Sequence, residues 1–178
     1  MTRPQLRTGD GTSLAAGALV LITTLFVGAA IVCELPWWQP PAATATFALG
    51  VLAHETGHGL AATARGLHWT GLIFGAPGGG LAAAEITDPD QKPRTNLDQL
   101  LISLAGPLTE ILCGALVWAL FGGLDPDGFL VGVAGACSVL DGAMQLLLVP
   151  VRISDGHKAA KAGWRCLHHQ AHHTWARP

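Results

Sequence analysis

The sequence predicts an all-α polytopic membrane protein with four transmembrane helices, and three observations predict it. Half of the 178 residues are hydrophobic (50%) while only 12% are charged, about half the charge share of an ordinary soluble domain. Mean hydropathy is +0.41. Four apolar runs each have about the 20 residues that a helix needs to cross the hydrocarbon core.

The first run, residues 14–33, contains no charged residue. Arg3 and Arg7 precede it as they would precede a secretory leader, but the run is too long for one and no small-x-small cleavage site follows. The second run, residues 42–64, is entered through Pro40-Pro41. The third, residues 100–121, holds one ionisable residue, Glu110, and the fourth, residues 128–151, holds only Asp141. Short connections at 34–41 and 122–127, rich in Pro, Gly and Asp, force antiparallel neighbours. Residues 157–178 form a polar, His-rich tail. Nothing reads as a linker or a repeat, so the whole chain, residues 1–178, is expected to be one membrane-embedded domain.

Charge orients the bundle. All 10 Lys and Arg fall before the first run, between the second and third, or after the fourth, and the two short connections have none. By the positive-inside rule the protein is a multi-pass cell-membrane protein with both termini cytoplasmic. Trp37-Trp38 on the far side, and Trp69 and Trp164 on the basic side, fit interfacial anchors. The net charge of −2 gives no basic face for phosphates, which excludes nucleic acid as a partner. Cys33, Cys113, Cys137 and Cys166 show no CxxC spacing and read as small buried hydrophobes rather than a disulfide or zinc framework.

The chemistry concentrates in the second run, which contains His54-Glu55-Thr56-Gly57-His58. On a helix, positions i and i+4 share a face, so both imidazoles can bind one metal while Glu55 approaches the open position as general base. Ionisable groups at bilayer depth cost roughly 2.5–3.5 kcal/mol each on insertion scales, so three clustered in one span imply a purpose. A catalytic zinc takes three protein ligands and leaves the fourth position for water. Glu110, Asp141 and Asp155 compete to be the third.

These residues resemble the site-2 proteases, a family of intramembrane zinc metalloproteases. The resemblance rests on Ala53 through Gly59 in the second run, Ala105-Gly106-Pro107-Leu108 in the third, and Pro150 through Gly156 after the fourth. It implies one Zn²⁺ per chain held by His54, His58 and Asp155, with Glu55 as the catalytic residue. It also implies a lipid-embedded enzyme that hydrolyses a peptide bond in or near a transmembrane segment of a substrate protein, often a regulator such as an anti-sigma factor, in regulated proteolysis. The chain departs from the family in two places, with Leu147 and Glu110 standing where asparagines are usual, and Gln145, Asp141 or Glu110 are candidates to replace the substrate-positioning one. Asp155 would lie near the interface on a regular fourth helix, so Pro150 is expected to break that helix and let the segment fold back.

Residues 66–96 are apolar and glycine-rich up to Glu85. A membrane-dipping β-hairpin and a loop folded on the bundle both fit, and the resemblance implies an extended segment that pairs with an unwound substrate. His68 reads as interfacial and no ligand. In the tail, His157, His168, His169, His172 and His173 read as part of a basic, solvated or lipid-facing segment. A second class of function stays open beside the protease: a catalytically silent adaptor that binds membrane helices, or a metal-handling protein favoured by the tail histidines. Oligomeric state is not legible.

Overall fold

The computed structural model describes residues 5–76, 80–87, 95–122, 127–147 and 155–174. Its elements run β1 (Gln5–Thr8), α1 (Thr12–Val32), α2 (Gln39–Ala64), β2 (His68–Ala76), β3 (Gly80–Thr87), α3 (Asn96–Phe121), α4 (Phe129–Leu147) and α5 (Asp155–Thr174). Helices α1, α3 and α4 are long and apolar enough to cross a membrane. Helix α2 is longer than α1 and α4, at 26 residues, yet its Gln39, His54, Glu55 and His58 make it the least apolar of the four. Its polar side chains turn inward: Gln39 and His54 are buried.

Helices α2, α3 and α4 pack on one another, α1 lies against α2 and the sheet, and α5 lies against α3. Leu14, Leu21, Leu25, Ile31, Leu112, Leu116, Leu120, Leu140 and Leu147 are exposed on the outer faces of α1, α3 and α4. Water would not tolerate such an apolar belt on a monomer, and lipid requires it. Small residues join the helices. A Cβ on Gly114 would stand 2.6 Å from the Gly135 carbonyl, and one on Gly135 would stand 2.8 Å from the Gly114 carbonyl, so α3 and α4 touch backbone to backbone as membrane helices often do. Ala30, Ala43, Leu130 and Ala134 close the far end, where Gln39 Oε1 accepts the Leu130 N–H at 2.9 Å and satisfies a first-turn donor of α4.

The other end is fixed by caps. Gly66, at φ 79°, ends α2 with Gly66 N–H bonded to Thr63 and Leu67 N–H to Ala62, both at 3.0 Å, a Schellman turn that needs the left-handed glycine. Thr95 and Asp98 form a capping box at the start of α3. Arg65 Nε donates to Asp98 Oδ1 at 2.6 Å, tying the end of α2 to the start of α3.

Beside these caps lies a three-stranded sheet of order β1-β2-β3. The hairpin reading of residues 66–96 holds for β2 and β3, which pair antiparallel with Leu72 opposite Ala84. Strand β1, unforeseen in the sequence, pairs parallel with β2 from Gln5 opposite Gly71 to Thr8 opposite Phe74. Residues 77–79, Pro150 and the segment around it, and the side chains of His168, His169, His172 and His173 lie outside the described residues. All four cysteines are free but not buried: Cys33 and Cys113 are exposed, and Cys137 and Cys166 are half-buried. Trp69, read as an interfacial anchor, also packs inside the protein. Its ring lies against Gly59 of α2, where a Cβ would collide with it.

Candidate metal centre

Helix α2 carries His54, Glu55 and His58 into the interior where α3, α5 and β3 meet. His54 and His58 sit one turn apart with ring centroids 4.8 Å apart. Each ring is held by its Nδ1. His54 Nδ1 donates to Glu110 Oε2 of α3 at 2.8 Å, and His58 Nδ1 donates to the Ile102 carbonyl of α3 at 2.6 Å. With both Nδ1 atoms carrying the proton, both Nε2 atoms present lone pairs.

Asp155, the first residue of α5, brings the third atom. Its Oδ2 stands 3.2 Å from His54 Nε2 and 3.3 Å from His58 Nε2, and the two Nε2 atoms are 3.1 Å apart. Three lone-pair atoms facing one another repel unless a cation lies between them. Ligands about 2.0–2.1 Å from a tetrahedral zinc stand roughly 3.3 Å from each other, so the donor set and its spacing fit that ion. His54, Glu55 and His58 also offer atoms within 4.8 Å of one another. That set is looser, and Glu55 Oε2 is already engaged, accepting the Ala84 N–H of β3 at 2.7 Å. Of the three carboxylates the sequence left in competition, Asp155 alone reaches both Nε2 atoms. Glu110 lies behind His54, and Asp141 lies beside Glu110.

Asp155 is 7% exposed. Burial pushes its carboxyl up, but the imidazoles of His54 and His58 and the Lys158 ammonium around it outweigh that and hold it well below the usual carboxylate range. Lys158 Nζ, one turn along α5, donates to Asp155 Oδ1 at 2.8 Å and leaves Oδ2 for the triangle. Sequence reading missed Lys158, although Asp-x-x-Lys at i and i+3 in a tail that folds as a helix was a usable signal.

Glycines let the elements converge. A Cβ on Gly106 of α3 would strike the His58 imidazole at Nε2 and lie 2.5 Å from its Cε1. On Gly57 it would lie 2.5 Å from Thr109 Oγ1 and 2.6 Å from the Ala105 carbonyl. Gly156 abuts the last turn of α4, where a Cβ would collide with the Leu146 carbonyl. The Gly-Pro and Asp-Gly pairs therefore bring α3 and α5 against α2. Pro107, buried within α3, lacks the N–H that Ser103 would otherwise receive, which loosens the helix next to the Ile102 carbonyl that holds His58.

In front of the triangle lies a cavity of about 280 Å³, bounded by Glu55, His58 and Asp155 on one side and by Ala83, Ala84 and Ile86 of β3 on the other. Lys158, Gln99 and Ser103 also line it. The cavity thus opens onto the Glu55 carboxylate and the atoms of the candidate metal triangle.

Comparison with known proteins agrees with this geometry. No curated protein and no solved structure matches the chain. The family description of peptidase family M50 matches residues 42–168, a span from the start of α2 into α5 that contains every side chain of the centre. The chain therefore belongs to peptidase family M50, the site-2 protease family of membrane-embedded metalloproteases.

Proposed function

We propose that this protein is an intramembrane zinc metalloprotease that hydrolyses a peptide bond in or near a transmembrane segment of a substrate protein, as a step of regulated proteolysis. The observation that carries the reading is the triangle of His54 Nε2, His58 Nε2 and Asp155 Oδ2, 3.1–3.3 Å on each side, with Glu55 beside it at the wall of a cavity. His54, His58 and Asp155 hold one zinc ion per chain. Bound there, the zinc supplies Lewis acidity that makes water nucleophilic near neutral pH and polarises the scissile carbonyl.

The chain's own groups do the rest. Glu55 takes a proton from the attacking water as the oxygen bonds to the carbonyl carbon, then returns it to the amine nitrogen as the C–N bond breaks. The Ala84 N–H fixes one oxygen of Glu55 from the outer edge of β3. A substrate helix must unwind to expose a peptide bond, and an extended segment laid along this edge brings its carbonyl past Glu55 while main-chain hydrogen bonds replace those of the helix.

In this reading α2 is a fourth span whose polar residues face the protein interior, as intramembrane ionisable groups do. Both termini, the sheet and α5 are cytoplasmic, and the centre lies within the membrane, nearer that side. Metal analysis of the purified chain tests the ligand set. His54→Ala, His58→Ala and Asp155→Ala are expected to lose zinc and Asp141→Ala to keep it. Loss in Asp141→Ala with retention in Asp155→Ala contradicts the assignment.

A further inference from the structure

Glu110 sits in the middle of α3 and is 0% exposed. A carboxyl group so placed is costly in a membrane helix and marks a function by default. Its Oε2 accepts the Nδ1–H of His54 at 2.8 Å. Among the described residues Oε1 has no hydrogen-bond partner, and neither does the buried Ser138 Oγ of α4. The close hydrogen bond at Oε2 thus runs to the imidazole of α2, while Asp141 of α4 lies beside the same carboxyl.

That bond decides how His54 is used. An imidazole placed by its helix can still turn about its ring torsion and carry its proton on either nitrogen. An acceptor at Nδ1 removes both freedoms, leaving the lone pair of Nε2 aimed at His58 Nε2 and Asp155 Oδ2, 3.1 and 3.2 Å from those atoms for His58 and Asp155 respectively. His58 receives the same service from the Ile102 carbonyl. A carboxylate does more than a carbonyl, because its charge strengthens the imidazole as a donor to a cation. We infer that Glu110 is a positioning residue of the metal centre, which fixes the tautomer and orientation of His54 and strengthens its hold on zinc. This rests on the proposal that His54 is a zinc ligand.

The test is the zinc dissociation constant of the full chain in detergent, measured by competition with a chromophoric chelator for the native protein, Glu110→Gln and Glu110→Met. Methionine keeps the bulk of the side chain and removes the acceptor, and glutamine keeps an acceptor without the charge. Loss of such a partner weakens metal binding by roughly 10- to 100-fold. That loss is expected for Glu110→Met, with Glu110→Gln between it and the native protein. Melting of the metal-free forms supplies the contrast, since a glutamate that served only packing would change melting and leave zinc affinity where it was. Native affinity in either variant overturns the inference, and Glu110→Gln decides alone should Glu110→Met not fold. A native chain that binds no zinc would instead bring down the metal-centre reading itself, and Glu110's role with it.

Discussion

Adding one methyl group at Gly106 should disable zinc binding while leaving the bundle assembled. The Cβ of Gly106→Ala would overlap His58 Nε2 and lie 2.5 Å from Cε1 and 2.8 Å from Cδ2. The ring cannot simply retreat, because its Nδ1 is bonded to the Ile102 carbonyl at 2.6 Å on the same helix that carries the new methyl. Overpacking of this kind costs about 1–3 kcal/mol, and loss of the Nδ1 hydrogen bond adds about 1 kcal/mol. If that strain is relieved by turning His58 out of the triangle, the combined cost of about 2–4 kcal/mol appears in the zinc equilibrium. At 1.4 kcal/mol per tenfold, the dissociation constant rises roughly 30- to 700-fold. Chelator competition on the purified chain measures it, and Gly28→Ala, whose Cβ would meet nothing within 4 Å, serves as the control. Native zinc affinity in Gly106→Ala would refute the close approach of α3 to His58 on which this reasoning depends.

Three further outcomes follow from the same contacts. Ala84→Pro removes the N–H that holds Glu55 Oε2 at an outward edge position where proline is tolerated; zinc content should stay at the native level while the cleavage rate falls roughly tenfold, in line with a hydrogen bond to a charged group, as read in a proteolysis assay. Lys158→Met frees Asp155 Oδ1, and because Lys158 is 46% exposed the loss of zinc affinity should stay below about tenfold, far short of that in Asp155→Ala. Cysteines introduced at the exposed Trp37 and at Asp125 should react with a membrane-impermeant reagent only from outside the cell, and one near the C-terminus only from the cytoplasm; labelling of Asp125→Cys from the cytoplasm would overturn the four-span arrangement.

Helices α1, α3 and α4 were legible because each is long and apolar enough to cross a membrane, and the observed bounds of α1 and α3 lie within a few residues of the apolar runs. The central motif was legible because its spacing equals one helical turn. The parallel pairing of β1 with β2 was not: Gln5–Thr8 is four residues long and exposed throughout, so no burial pattern marks it as a strand. Glu110 was legible as costly but not as His54's partner, since a contact across 56 residues leaves no local trace. Helix α5 left a readable trace in the stripe of buried Asp155, Ala159 and Ala162, spaced four and three residues apart as one helical face requires, but the histidines and lysines beside it made the segment look like a solvated tail. The role of Gly106 depends on which atom of α2 faces it, which only the packed structure supplies.

The most direct measurement of the central claim compares the native chain with Glu55→Gln, scoring zinc content and cleavage of a tagged transmembrane substrate in the same membranes. Glu55 is not one of the three atoms of the triangle and its replacement is isosteric, so zinc is predicted to remain at one ion per chain. The amide cannot accept the proton of water, and general-base assistance is typically worth 10²–10⁴ in rate, so cleavage is predicted to fall by at least about 100-fold. A Glu55→Gln chain that cleaves at the native rate would contradict the account, and one that no longer cleaves yet fully restores the phenotype of a deletion strain would leave a helix-binding adaptor in its place.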